Sequence, residues 1–267
     1  MKTSPLALFA CLIITSLACK NTADKQQQNV QTVAADSDHP QYVDDIENAH
    51  NKAAVLDHET ICFNIQYTFG SNSSKMKIFT TPNSSNIRVE KPDGTITVVD
   101  DGAVYTNADS TKWKSEQFSV YTWQYFFMVP YKLSDDGTNW QKIPQRELNG
   151  AMTDVSKLTF DSGTGDAPDD WYMLHTDPNS NLLQYLGYIV TGGGKSQTEA
   201  EKSARAVHYS NYEDVDGVPF ATEWTFHNYS LTEGLLDQVG GATLKNVLFM
   251  DRLDGIYDTT ELTKITQ

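Results

Sequence analysis

The chain has 267 residues, of which 39% are hydrophobic, and its 13 Tyr, 11 Phe and 5 Trp can build a sizeable core, which excludes a disordered protein. Its formal net charge of −15 argues against nucleic acid as a partner, because an acidic surface repels phosphate backbones. Beyond residue 19 the only cysteine is Cys62, so that part of the chain cannot form an internal disulfide.

The N-terminus predicts a signal peptide over residues 1–18. A positive start at Lys2 precedes the apolar stretch 6–14, which is too short to cross a bilayer as a permanent anchor. Ser16-Leu17-Ala18-Cys19 resembles the lipobox of bacterial lipoproteins, although Ser16 stands where leucine is usual. That resemblance implies cleavage before Cys19 and acylation of its sulfur; the alternative is ordinary secretion with cleavage near Ala18.

Residues 19–40 are polar and show no apolar periodicity, so they predict a flexible tether. As a coil, this segment would span about 25 Å. Residues 41–267 are then long enough for one β-rich domain.

The first half of this domain predicts one helix followed by a meander of strands. Residues 42–56 carry apolar side chains at helical spacing. Residues 61–69 alternate apolar and polar side chains, which is typical of a strand with one buried face. Further strands are predicted at 75–80, 86–91, 95–99 and 103–106.

Residues 115–129 interrupt the meander with aromatic side chains spread around a helical wheel, and Pro130 should end this helix. Such a helix must be largely buried and could fill the concave side of a curved sheet. One interpretation is that its aromatic rings line a ligand cavity, and the other is that they belong to an ordinary hydrophobic core. The two are not exclusive.

The second half predicts strands again, at 152–160, 171–176, 182–190, 207–212, 220–229, 244–249 and 262–265. These twelve segments, taken as about ten strands, and the two helices favour a mainly β (α+β) class.

Several short motifs resemble a Gram-negative lipoprotein family of unknown function whose fold is similar to that of the lipoprotein carriers LolA and LolB. These motifs are Ala49-His50, Asp101-Gly102, Pro130-Tyr131-Lys132-Leu133, Pro168-Asp169-Asp170-Trp171-Tyr172, Asp177-Pro178 and the hairpin from Tyr212 to Pro219. They cover roughly residues 45–265 and are turn or packing signatures rather than catalytic ones. In family members glycines often follow the histidine, whereas Asn51 and Lys52 follow His50 here.

The resemblance implies a curved antiparallel half-barrel closed by one or two helices, with an apolar concavity able to hold acyl chains. On this basis we expect a ligand cavity lined by Phe63, Ile65, Tyr67, Tyr121, Tyr125 and Phe126.

No motif predicts catalysis, a cofactor or a metal. The acidic loop 161–170 lacks the alternating ligand positions of a calcium loop, and the six histidines form no zinc-binding pair. Because His175, His208 and His227 fall in strands that could be neighbours, a metal-assisted hydrolase remains a third hypothesis. We expect a protein that is not an enzyme.

The first hypothesis is a membrane-anchored outer membrane lipoprotein of a Gram-negative envelope, facing the periplasm or the cell surface, that binds a lipid or other hydrophobic ligand. The second is a module that binds an envelope protein or glycan, with its concavity filled by its own side chains. A deep empty pocket favours the first, and clusters of exposed Trp and Tyr favour the second.

Overall fold

A computed structural model describes residues 39–251 and 253–266. The predicted signal peptide, the predicted lipidation site Cys19 and the part of the predicted tether up to residue 38 lie outside the described residues. Within the described part of the chain, no helix is both long and apolar enough to cross a membrane.

The domain is built on one open, curved sheet of 13 strands in which every neighbouring pair is antiparallel. The strands are β1 (Thr60–Phe69), β2 (Asn72–Thr80), β3 (Asn86–Glu90), β4 (Ile96–Asp100), β5 (Ala103–Thr106), β6 (Thr138–Leu148), β7 (Ala151–Phe160), β8 (Tyr172–Thr176), β9 (Leu183–Tyr188), β10 (Arg205–Val215), β11 (Val218–Ser230), β12 (Gly234–Met250) and β13 (Thr263–Lys264). The predicted fold class is confirmed.

Two meanders make up this sheet, β1 to β5 and β6 to β12, and they are joined where β1 pairs with β12. Strand β6 forms one edge, and β5 lies next to the other edge, where it pairs with β13. The connection from β5 to β6 must therefore cross the sheet from side to side. Helix α3 (Trp113–Met128) forms this crossing, and a 3₁₀ turn at Val129–Tyr131 ends it at the proline, as the sequence predicts.

The single helix predicted over 42–56 is wrong, because the structure has two helices, α1 (Gln41–Ala49) and α2 (Lys52–Leu56). The break is at Asn51, whose φ of 55° is left-handed and incompatible with a continuous helix. The Asn51 side chain donates a hydrogen bond to the Gly217 carbonyl at 2.9 Å. This contact ties the break to the turn between β10 and β11.

The sheet has 13 strands, more than the estimate of about ten, and β6 is the one strand that no predicted segment covers. Its side chains are mostly polar and exposed, and Pro144 lies within it, where the pairing with β7 shifts register. Edge strands tolerate proline and charge because one side of the strand makes no ladder hydrogen bonds. A short helix, α4 (Gln197–Glu201), was likewise missed.

Strands β7 to β11 bury side chains on both faces of the sheet. The main core lies on the concave face, and a smaller core forms on the outer face beneath α4, where Trp171 is fully buried beside Met173 and Ile189. Tyr172, between Trp171 and Met173, points to the opposite, concave face. The outer core therefore fixes this part of the sheet as a rigid wall.

Candidate ligand-binding cavity

One side of helix α3 fills the concave face. Val120, Trp123 and Phe127 recur at helical spacing and are buried. The Phe127 ring stacks on Phe63 of β1 at 4.0 Å between centroids, and the Trp123 ring stacks on Tyr67 at 3.9 Å. This half of the concavity is closed by the chain's own aromatic side chains.

The other side of α3 borders a cavity of about 430 Å³, within the range typical of small-molecule sites. Its walls come from α3, the loop before β3, the chain before β6, the loop between β7 and β8, and strands β7, β8 and β9. The aromatic side chains that line it are Phe118, Tyr121, Tyr125, Phe126, Phe160, Tyr172 and Tyr188.

Ring contacts hold these aromatic walls in place. Tyr125 packs against Tyr172 at 5.1 Å between centroids, and Phe160 meets Tyr172 edge-on at 5.9 Å. On the far side, Phe126 packs against Tyr188 at 4.9 Å. Such tilted and edge-on pairs are favourable because the electron-rich face of one ring meets the electron-poor edge of another.

Buried hydrogen bonds fix the position of α3 beside the cavity. Gln124 is almost fully buried and donates to the hydroxyls of Thr80 at 3.0 Å and Ser84 at 2.6 Å. The Tyr209 hydroxyl donates to the Phe126 carbonyl at 2.9 Å. A buried polar group without a partner would be costly, so these bonds favour one register of the helix on the sheet.

The structure separates the six residues that the sequence predicts as cavity lining. Tyr121, Tyr125 and Phe126 line the cavity. Phe63 and Ile65 are fully buried, and Tyr67 is half-buried against Trp123. The side chains from β1 therefore belong to the half of the concavity that is filled by aromatic packing, and they do not line the cavity.

Sequence reasoning missed the strand residues of the cavity, although a signal for two of them was present. Tyr172 and Tyr188 are directly opposite in the β8–β9 pairing, on either side of the predicted turn at Asp177-Pro178. Aligning the two strands across that turn would have brought these tyrosines together. Phe160 gave no comparable signal.

Acidic side chains also line the cavity. Asp170 is buried, and its Oδ1 accepts hydrogen bonds from the backbone N–H and the hydroxyl of Thr191, both at 2.7 Å. Burial raises the pKa of Asp170 above its ordinary value, although the bonds from Thr191 oppose that shift. Burial also raises the pKa of Tyr125, and the nearby carboxylates of Asp135 and Asp170 add to this effect.

No group of three or more His, Cys, Asp or Glu side chains in the described ranges is arranged to hold a metal ion. His175 is fully buried, bonded to the hydroxyls of Thr153 and Tyr229, each at 3.1 Å. His208 and His227 both contact the hydroxyl of Thr225, at 3.4 and 2.9 Å. His208 and His227 therefore meet at one hydroxyl group, whereas His175 is bonded to two others.

A second groove of about 900 Å³, lined by polar and apolar residues in similar measure, crosses strands β2, β1, β12 and β11. Lys75, Lys77, Lys245 and Glu223 are exposed there. These side chains alternate along their strands with buried ones, so the groove is on the outer face.

No family model and no curated protein matches the sequence. Solved structures do match. A LolA superfamily protein from Nitrosomonas europaea superimposes with a TM-score of 0.54 at 11% identity, over 83% of this chain and 98% of the other. The chain has a LolA-like fold.

Two further structures share the LolA-like fold. A DUF1329 family protein from Desulfovibrio piger matches with a TM-score of 0.54 at 12% identity, over 82% of this chain and 98% of that one. A domain assigned to outer membrane lipoprotein sorting from Vibrio parahaemolyticus matches at 0.51 and 10% identity, over 81% and 96% of the two chains. At these identities the similarity concerns the fold alone.

In this LolA-like fold, His50 of the motif Ala49-His50 links two elements of the structure. His50 is fully buried, and its Nδ1 contacts the Ile46 carbonyl at 2.8 Å while its Nε2 accepts from the Leu183 N–H at 3.3 Å. Burial lowers the pKa of His50 to about 4, so the ring is neutral. It connects α1 to strand β9.

Proposed function

We propose that this protein is a non-enzymatic lipoprotein of the bacterial envelope, anchored by lipid on Cys19, that binds a lipid or another hydrophobic ligand in the cavity beside α3. The observation that carries the proposal is the cavity itself: about 430 Å³ of space whose lining includes seven aromatic side chains, on the concave side of a LolA-like sheet. Three of the six residues expected to line a ligand cavity, Tyr121, Tyr125 and Phe126, border this space, which supports the proposal.

The exposure of the aromatic residues supports this proposal over an interaction module. None of the 5 Trp and 13 Tyr is exposed, since each is buried or half-buried. A surface that recognises a protein or a glycan commonly presents such side chains to solvent. Here most of them belong to the hydrophobic clusters or line the cavity.

The name of the Vibrio parahaemolyticus domain, which refers to sorting of outer membrane lipoproteins, also supports the proposal. A carrier of this kind must shield acyl chains from water, and aromatic walls held by ring contacts provide such an environment. Anchoring at Cys19 would keep the cavity close to the membrane from which a lipid is taken.

The test uses the full chain with Cys19→Ser, which removes the sulfur that would be acylated. Native mass spectrometry shows whether lipid co-purifies, and displacement of an uncharged fluorescent lipid measures binding to the cavity. We expect co-purified lipid or saturable binding of the probe. A protein that carries no lipid and ignores the probe would contradict the proposal.

A variant that fills the cavity makes the test specific. Thr122 lies on α3 and lines the cavity, so Thr122→Trp should occupy the space that the ligand needs and reduce binding at least about tenfold. Ser115→Trp, at an exposed position of the same helix outside the cavity lining, is the matched control and should bind normally.

The outer groove supports a second candidate, an interaction module that binds a polar partner across strands β2, β1, β12 and β11. Its size and its exposed lysines are the specific observations in its favour. If Thr122→Trp and the unchanged chain both fail to bind amphiphiles, this candidate becomes the better explanation.

A further inference from the structure

Most of the carboxylates that line the cavity have no cationic partner. The lining includes four aspartates, Asp135, Asp136, Asp166 and Asp170, and one lysine, Lys132. Lys132 pairs with Asp135 at 2.5 Å. The other three aspartates take part in none of the ion pairs between described residues. The site therefore has an excess of negative charge.

One of these carboxylates is deep in the site. Asp170 is only 6% exposed, next to the aromatic wall formed by Tyr172. Its known partners, the N–H and hydroxyl of Thr191, are neutral and both engage Oδ1. A buried carboxylate is stabilised much more by a cation than by neutral donors.

The aromatic rings beside these carboxylates favour the same kind of ligand. Tyr125, Tyr172 and Phe160 form a continuous wall through contacts at 5.1 and 5.9 Å. The face of an aromatic ring is electron-rich and attracts ammonium groups. The side chain of Gln117, one turn before Tyr121 on α3, donates a hydrogen bond to Asp166 Oδ1 at 2.9 Å, which places that carboxylate beside the helix.

We propose that the ligand of this cavity is a cationic amphiphile, with its acyl or alkyl chain against the aromatic walls and its ammonium head beside Asp136, Asp166 and Asp170. This inference rests on the proposed function and specifies its ligand class. An amphiphile with an anionic head would bring like charge into a partly desolvated site, which costs free energy that a cationic head recovers.

The experiment compares three amphiphiles that carry the same alkyl chain, each below its micelle-forming concentration: decyltrimethylammonium, decanoate and the neutral decyl glucoside. Isothermal titration calorimetry with the Cys19→Ser chain gives the three dissociation constants. We expect the cationic amphiphile to bind about tenfold more tightly than decanoate, with decyl glucoside between them.

Variants locate the source of this preference. Asp136 and Asp166 are exposed, and replacing both with asparagine keeps their size while removing two charges. We expect the double variant Asp136→Asn/Asp166→Asn to reduce the preference for the cation about fivefold, chiefly by weakening decyltrimethylammonium binding. Asp237→Asn, an exposed charge outside the cavity lining, is the control and should leave the preference unchanged.

The outcomes separate this inference from the proposed function. Equal binding of all three amphiphiles, tighter binding of decanoate, or an unchanged preference in the double variant would overturn the cationic ligand and leave a hydrophobic site in place. If none of the amphiphiles binds, both the ligand class and the proposed function fail.

Discussion

The two sides of helix α3 carry similar residues but have different surroundings. On the filled side, Trp123 and Phe127 stack directly on Tyr67 and Phe63 at 3.9 and 4.0 Å. On the open side, the ring of Tyr125 is tilted against Tyr172 at 5.1 Å beside about 430 Å³ of space. Aromatic content therefore does not distinguish core from cavity; the opposing strands do.

The largest expected effect comes from truncating one ring on each side of the helix. Phe127→Ala should lower the free energy of unfolding by about 3–5 kcal/mol, because it opens a void in closed packing. Tyr125→Ala should cost about 1–2 kcal/mol, because its ring already borders open space. Urea denaturation of the two variants measures the difference, and equal losses would mean that the two sides are packed alike.

A pH effect tests the filled side, where His50 packs near Tyr131 at 6.2 Å between rings. Its pKa falls from the usual 6.5 to about 4 in the fold, so between these pH values the unfolded chain binds a proton that the folded chain does not. This contribution to stability is fully present above pH 6.5 and is lost as the pH falls towards 4.

Between pH 7 and pH 5 this linkage should remove about 2 kcal/mol of unfolding free energy. The measurement is urea denaturation at both pH values, for the unchanged chain and for His50→Gln. The variant should lose less stability over this interval, and His175, which is present in both proteins, cancels in the comparison. An identical loss in the two proteins would show that His50 is not the titrating group.

The smallest expected effect on stability is at Phe118, which lines the cavity but is 52% exposed. Phe118→Ser should change the free energy of unfolding by less than about 0.5 kcal/mol. It should also weaken binding of the uncharged fluorescent lipid about threefold, since a partly exposed ring contributes only part of its apolar area to the ligand. Unchanged binding would place the ligand deeper, against Tyr172.

Local patterns were sufficient to predict much of this architecture. The aromatic helix ending at Pro130 matches the structure, and so does the alternation in β1 beyond Phe63; at the start of β1, Cys62 is also buried, in a small cluster with Phe79, Val98 and Tyr257. The break at Asn51 was missed because its left-handed backbone is held by a contact with Gly217, 166 residues away in the chain. Strand β6 was missed because an exposed edge imposes little hydrophobic pattern.

The lining of the cavity was likewise predicted only in part from the sequence. Periodicity identified Tyr121, Tyr125 and Phe126 on α3, and these residues line the cavity, whereas Phe63, Ile65 and Tyr67 of β1 lie in the filled half. Periodicity determines which residues share a face of an element, but it contains no information about which distant strand that face will meet.

The sequence by itself determined the class of fold, the crossing helix and the apolar face of each element, because these depend on neighbours a few positions apart. Only the tertiary structure decided that one side of α3 is core and the other a cavity with acidic groups. That outcome depends on how 13 strands curve together and bring Phe160, Asp170 and Tyr188 to the same place.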